Sequence, residues 1–236
     1  MTSVRSPHTT AGPLRPAPRL AVLALALTLS GCSSLLGGGS GDRERSTIYA
    51  PDPRVETDAA WPRADWQLTM SPPTAARMID SFRIAVRPTP SEFQVYGGAS
   101  WAKTPTDMLQ DSVLRALEDS DRIPAVARQG AGITADYKLV MDLRRFEADY
   151  AGNPLPAATI EANVKLIHNI DQTVVGSRTF LAATPANGTD VPQVVDAFTV
   201  SLGTITREMV GWLLESGNAH ETSHGGAAAA NPTRAR

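Results

Sequence analysis

The chain has little of several things. It holds one cysteine in 236 residues, few aromatics, no excess of positive charge and no apolar run long enough to span a bilayer. One cysteine excludes an intramolecular disulfide, so a folded domain in an oxidising compartment must rely on its core. A formal net charge of −2 gives no electrostatic footprint for nucleic acid. There is no G-x-S-x-G elbow and no phosphate-binding glycine loop.

What is present begins with a leader. Arg5, Arg15 and Arg19 form a positive segment without acidic residues, and residues 20–29 form an apolar core of about ten residues, as in a signal peptide. Leu29-Ser30-Gly31-Cys32 closes it. Small residues followed by cysteine are what a bacterial lipoprotein signal peptidase needs. The thiol takes a diacylglyceryl group, the chain is cut after Gly31, and Cys32 becomes the acylated N-terminus. This reading predicts a signal peptide over 1–31 and Cys32 as the lipid-attachment residue, with palmitate-type chains. One acyl chain binds a membrane marginally, whereas two or three anchor it firmly. An ordinary secretory peptide with a chance cysteine is the alternative, and position and flanks both disfavour it. Ser33 stands where an aspartate would retain a lipoprotein in the inner membrane, which favours the periplasmic face of the outer membrane. Removing the leader leaves all 24 acidic side chains against 19 basic ones.

Residues 32–45 read as a lipidated, Gly-rich tether with a reach of about 20 Å. A single domain is expected over 46–217. Short strands are predicted at 46–50 and 66–70, and a half-buried strand at 82–88. The segment holding Tyr96, Gly97, Gly98 and Trp101 reads as a loop. Thr104 as N-cap, Pro105 at the first helical position and Asp107 in the first turn predict a helix ending near Ser120. Residues 123–126 are a candidate short strand. Alternation over 137–143, 160–166 and 173–182 predicts an antiparallel meander, with 168–172 as a tight connection. Asp190, Pro192 and Gln193 start a long helix whose stripe runs from Val191 to Leu213, with Gly217 as its C-terminal cap. Residues 218–236 read as a disordered tail.

The tail contains His220-Glu221-Thr222-Ser223-His224, a match to the H-E-x-x-H pattern of zinc peptidases. That chemistry needs both histidines on one rigid helical face, a third ligand and a walled cleft. Here the motif follows Gly217 and Asn218, and His168 falls in an expected turn. No catalytic residue, metal or cofactor is therefore assigned. Tyr96 and Trp101 are candidate partner-binding residues, since such aromatics anchor interfaces. The alternative is that they pin their loop to the core.

The order of these features resembles the ABC-type transport auxiliary lipoprotein family, which includes the lipoprotein of the paraquat-inducible intermembrane transport system. The resemblance rests on the lipobox at Cys32, Ile48-Tyr49, residues 82–86, the Tyr96…Trp101…Pro105 segment and the helix through Met108 and Leu117. It continues through the strand from Tyr137 toward Phe146, the hairpin over 160–180 and the helix ending Val210-Gly-Trp-Leu-Leu214. It departs in the Gly-rich tether, the Pro-rich stretch at 51–73 and the Ala-rich tail. The resemblance implies an α+β fold, with a mostly antiparallel or mixed sheet and two main helices on one face. It implies a non-enzymatic component of an intermembrane lipid transporter that docks a periplasmic protein with mammalian-cell-entry domains. Self-association is compatible with such a role. A lipid carrier with its own apolar cavity and a structural envelope lipoprotein are the rival readings.

Overall fold

A computed structural model describes residues 46–230, with side chains to Ser223. The leader, Cys32 and the whole tether lie outside the described residues. Those described belong to one unit that begins at Ser46.

The organising strand is β7, Tyr137–Asp149. On one edge it pairs antiparallel along its length with β8, Ala157–His168, which pairs with β9, Val174–Pro185. On the other edge three strands follow one another, all parallel to β7. These are β2 (Gln67–Met70), β3 (Thr74–Ala75) and β4 (Arg83–Arg87). Beyond β2 lies β6, Ala125–Arg128. Beyond β4 lie β5, Gln94–Trp101, and β1, Thr47–Tyr49. The sheet has nine strands and is mixed. With its two helices it makes the α+β fold expected.

Alternation along β7 puts Tyr137, Leu139, Met141 and Leu143 in the core. A bulge between Leu143 and Arg145 then shifts the parity. Phe146 and Ala148 stay on the core face, while Arg145, Glu147 and Asp149 turn to the opposite one. There Glu147 is fully buried, and it accepts hydrogen bonds from Arg87 Nε (2.8 Å), Arg87 Nη2 (2.9 Å) and Arg145 Nε (2.8 Å). These charge-assisted bonds satisfy a carboxylate that would otherwise be costly to bury.

Helix α1 spans Pro105–Asp119, with the Thr104 side chain accepting from the Asp107 amide and Ser120 at its C-cap. Leu109, Val113 and Leu117 give its core face. The residues over 94–101 are a strand rather than a loop. Between Arg83/Ser100 and Ala85/Val95 the β4–β5 register shifts, and Gly98 takes φ +64° there. Gly98 accommodates a bulge, which resembles a turn in sequence.

Helix α2 spans Val191–Ala230, 40 residues. It crosses β8 and β9 and packs on α1, where the Ser112 and Thr206 hydroxyls meet at 2.8 Å in a buried contact. Gly217 does not cap it, and the stretch expected to be a tail from 218 continues as helix to Ala230. The Pro-rich chain ahead of β2 supplies the reason. It runs as a strap along α2, and glycines receive it. A Cβ at Gly203 would meet Pro53 at 3.3 Å, one at Gly211 would meet Trp61 Nε1 at 3.0 Å, and one at Gly217 would meet Trp66 Cζ2 at 2.3 Å. The Trp66 indole N–H donates to Asn218 Oδ1 at 2.9 Å, and Asn218 Nδ2 donates to the Arg63 carbonyl at 2.8 Å. Gly217 is a point of close approach.

Alanine for glycine inside a helix ordinarily stabilises by roughly 0.5–1 kcal/mol. Gly217→Ala should do the opposite, because overpacking against a fixed indole costs about 1–3 kcal/mol. Urea unfolding of the variant should show a lower midpoint than the parent; an unchanged or higher midpoint contradicts the seat described here.

Candidate functional site

Trp101 is 2% exposed. Its ring makes edge contacts with Phe146 and Phe198, at centroid distances of 5.8 and 5.2 Å. It offers no face to a partner, so its proposed role as a surface anchor gives way to core packing. The β5 bulge places it there, since Tyr49 and Trp101 stand side by side on the inner face. Tyr96 is half-buried against the same core. Burial, reinforced by Tyr150, raises the pKa of its hydroxyl.

The surface next to this strand is apolar in a way the sequence did not flag. Phe82 is 57% exposed, Met78 60% and Ile48 68%, with Val95 partly exposed. Register aligns Ile48 on β1, Ser100 on β5 and Arg83 on β4. An open depression of about 400 Å³ lies beside them, lined by Arg77, Met78, Arg83, Phe93 and Val95 among others. The depression thus combines the apolar Met78, Phe93 and Val95 with the basic Arg77 and Arg83. Its lining reaches β5, the strand that pairs with β1, whose first residue follows Cys32 by only fifteen positions.

A groove of about 250 Å³ runs between the strap and the helices. Ala50, Pro53, Lys103, Met108, Asp111, Arg115 and Leu202 help line it. Its rim is charged. Lys103 Nζ lies 2.6 Å from Asp111 Oδ2, Arg128 pairs with the other oxygen, and Arg115 pairs with Asp52. Burial alone would raise the Asp111 pKa; the hydrogen bonds from Lys103 and Arg128 outweigh it and hold the carboxyl below its usual value. Small-molecule sites typically occupy roughly 300–1,000 Å³ and are mostly apolar. At about 250 Å³ the groove falls below that range and does not suit a lipid with two acyl chains.

The third cluster lies at the far end of α2. The Tyr137 hydroxyl is 2.8 Å from His220 Nδ1 and donates to Glu221 Oε1 at 2.5 Å. Burial first, and the Glu221 carboxylate second, raise the tyrosine pKa. His168, at the end of β8, has its Nδ1 2.9 Å from Asp171 Oδ1. Hydrogen bonds from the Thr173 hydroxyl and amide, with His168 adding to them, hold the Asp171 carboxyl well below the usual range. The motif set aside as part of a tail therefore stands on a helix, and the histidine expected in a turn lies against it. The two imidazole centroids are 4.9 Å apart.

Comparison with known proteins follows from this fold. An uncharacterised protein of Bradyrhizobium diazoefficiens is 25% identical over 189 residues, covering 78% of this chain and 48% of that protein. The chain thus spans about half the length of the curated relative it matches. A crystal structure of a protein from Xanthomonas campestris is similar, with a TM-score of 0.72 and 57% sequence identity over 75% of this chain and 99% of that one. A second crystal structure, of an uncharacterised protein, shares the fold, with a TM-score of 0.54 at 12% identity over 69% of this chain and 95% of that one. The sequence pattern of the ABC-type transport auxiliary lipoprotein component matches residues 47–210. That match takes in the organising strand β7, both sides of the sheet and the first half of α2, and the chain belongs to the ABC-type transport auxiliary lipoprotein component family.

Proposed function

We propose that this chain is a non-catalytic lipoprotein of an ABC-type intermembrane lipid transporter. It is anchored through Cys32 at the periplasmic face of the outer membrane. There it docks the mammalian-cell-entry-domain protein of the system. Family membership supports the transport role, and Leu29-Ser30-Gly31-Cys32 supports the anchor. The observation that carries the docking is the open depression that brings Met78, Phe93 and Val95 together with Arg77 and Arg83. Exposed apolar residues clustered on one edge mark interaction surfaces more often than scattered ones do. Trp101 has no part in this surface. Tyr96 is its half-buried neighbour.

The physical logic is direct. A lipid cannot cross the aqueous periplasm unshielded, so a protein conduit must meet the outer membrane. A domain held within about 20 Å of its lipid anchor supplies a fixed meeting point. The small groove beside α1 gives little support to the lipid-carrier reading.

The anchor is tested by replacing Cys32 with Ala in the native host and fractionating membranes. The variant should keep its fold and lose outer-membrane association; an unchanged distribution refutes lipidation at this residue. Docking is tested by capture of the co-expressed mammalian-cell-entry-domain protein by full-length lipidated chain. The parent should retain it, and the pair Met78→Asp with Val95→Asp should lower retention by about tenfold or more, equivalent to at least ~1.4 kcal/mol. Both positions are exposed, so the fold should survive. Failure of the parent to retain the partner contradicts the docking role; equal capture by the variant contradicts the surface.

A further inference from the structure

The far end of α2 carries chemistry that neither the core nor a docking role requires. One ligand atom each from His168, His220 and Glu221 lies within 4.8 Å of the others. The geometry points to a binding site for a divalent ion of the zinc class, made by these three side chains, that fastens the end of α2 to the end of β8. The inference does not depend on the transport reading.

Three observations carry it. The first is the donor set. Two imidazoles and one carboxylate are a recurrent zinc environment, with a fourth position left to water. The second is distance. Atoms within 4.8 Å of one another can share a centre at roughly 2.0–2.2 Å after side-chain movements of under about 1 Å. The third is the surrounding shell. Histidines that bind metal commonly donate their other ring N–H to a carboxylate, which fixes the ring and raises its basicity. Asp171 Oδ1 stands in that place, 2.9 Å from His168 Nδ1. It is itself held by the Thr173 amide at 3.1 Å and hydroxyl at 2.8 Å. Tyr137 does similar work on the helix side, touching His220 Nδ1 at 2.8 Å and Glu221 Oε1 at 2.5 Å.

The site is not that of a peptidase. In the H-E-x-x-H mechanism the glutamate is the general base and both histidines of the motif are ligands. Here Glu221 is a ligand, and His168 comes from the sheet. The ion would join β8 to a helix segment distant in sequence. A hydrogen-bonded cluster without an ion would hold the same elements more weakly and would show no metal response.

The test uses the untagged mature chain from residue 32 with Cys32→Ser, which removes the one competing thiol, after chelator treatment. Zinc titrated calorimetrically should bind at one equivalent in the micromolar range or tighter, and should raise the melting temperature. Cobalt should give visible bands distinct from the aquo ion. His168→Ala and His220→Ala should each abolish one-equivalent binding. Asp171→Asn should weaken it about tenfold or more, with circular dichroism confirming the fold. An aquo-ion cobalt spectrum in the parent, which needs no variant, overturns the proposal. So does zinc binding that persists in both histidine variants, which would place the ion elsewhere.

Discussion

The seat of Trp66 on Gly217 is the contact on which much of this structure depends. An indole can lie against a helix backbone only where the helix lacks a side chain, and a Cβ at Gly217 would stand 2.3 Å from the ring. Once seated, the indole N–H reaches Asn218, and Asn218 reaches back to the strap at Arg63. Trp66 also meets Tyr137 edge to face, with centroids 4.9 Å apart. Tyr137 then holds His220 and Glu221. One glycine thus joins the Pro-rich strap, the end of α2 and the start of β7. Gly203 and Gly211 repeat the device closer to the middle of the helix, against Pro53 and Trp61.

Where alternation or caps were strong, the sequence announced the elements. Tyr137, Leu139, Met141 and Leu143 could only be one face of a strand, and Thr104-Pro105 could only begin a helix. Two readings failed for a shared physical reason, the double use of glycine. Gly97 and Gly98 looked like a turn because turns need positive φ, but a bulge inside β5 needs it too. Gly217 looked like a helix end because caps need the same freedom. Its role is close approach to Trp66, a residue about 150 positions earlier, and no local pattern encodes that.

The functional surfaces divide in the same way. The proposed lipobox is a local chemical motif, read from adjacent residues alone. The apolar depression was not legible, because Met78, Phe93 and Val95 look like ordinary turn and strand residues until the topology brings them together. Of the two roles left open for Trp101, core packing is the one seen, although its segment was expected to be a loop and is a strand that turns it inward. The histidine cluster was visible as residues but not as a cluster. His168 and His220 meet only because β8 ends where α2 passes.

These contacts give the domain two working ends. Beside β4 and β5 it exposes apolar and basic side chains. At the far end of α2 it binds its own helix through tyrosine, histidine and carboxylate. Both ends rest on one claim, that the strap and the helix beyond Gly217 are a single packed unit. Amide hydrogen exchange followed residue by residue measures this most directly. Protection continuing from Leu213 through Glu221, close to that of the middle of α2, is the predicted result. Loss of protection immediately after Gly217, with the Trp66 segment exchanging freely, would contradict it.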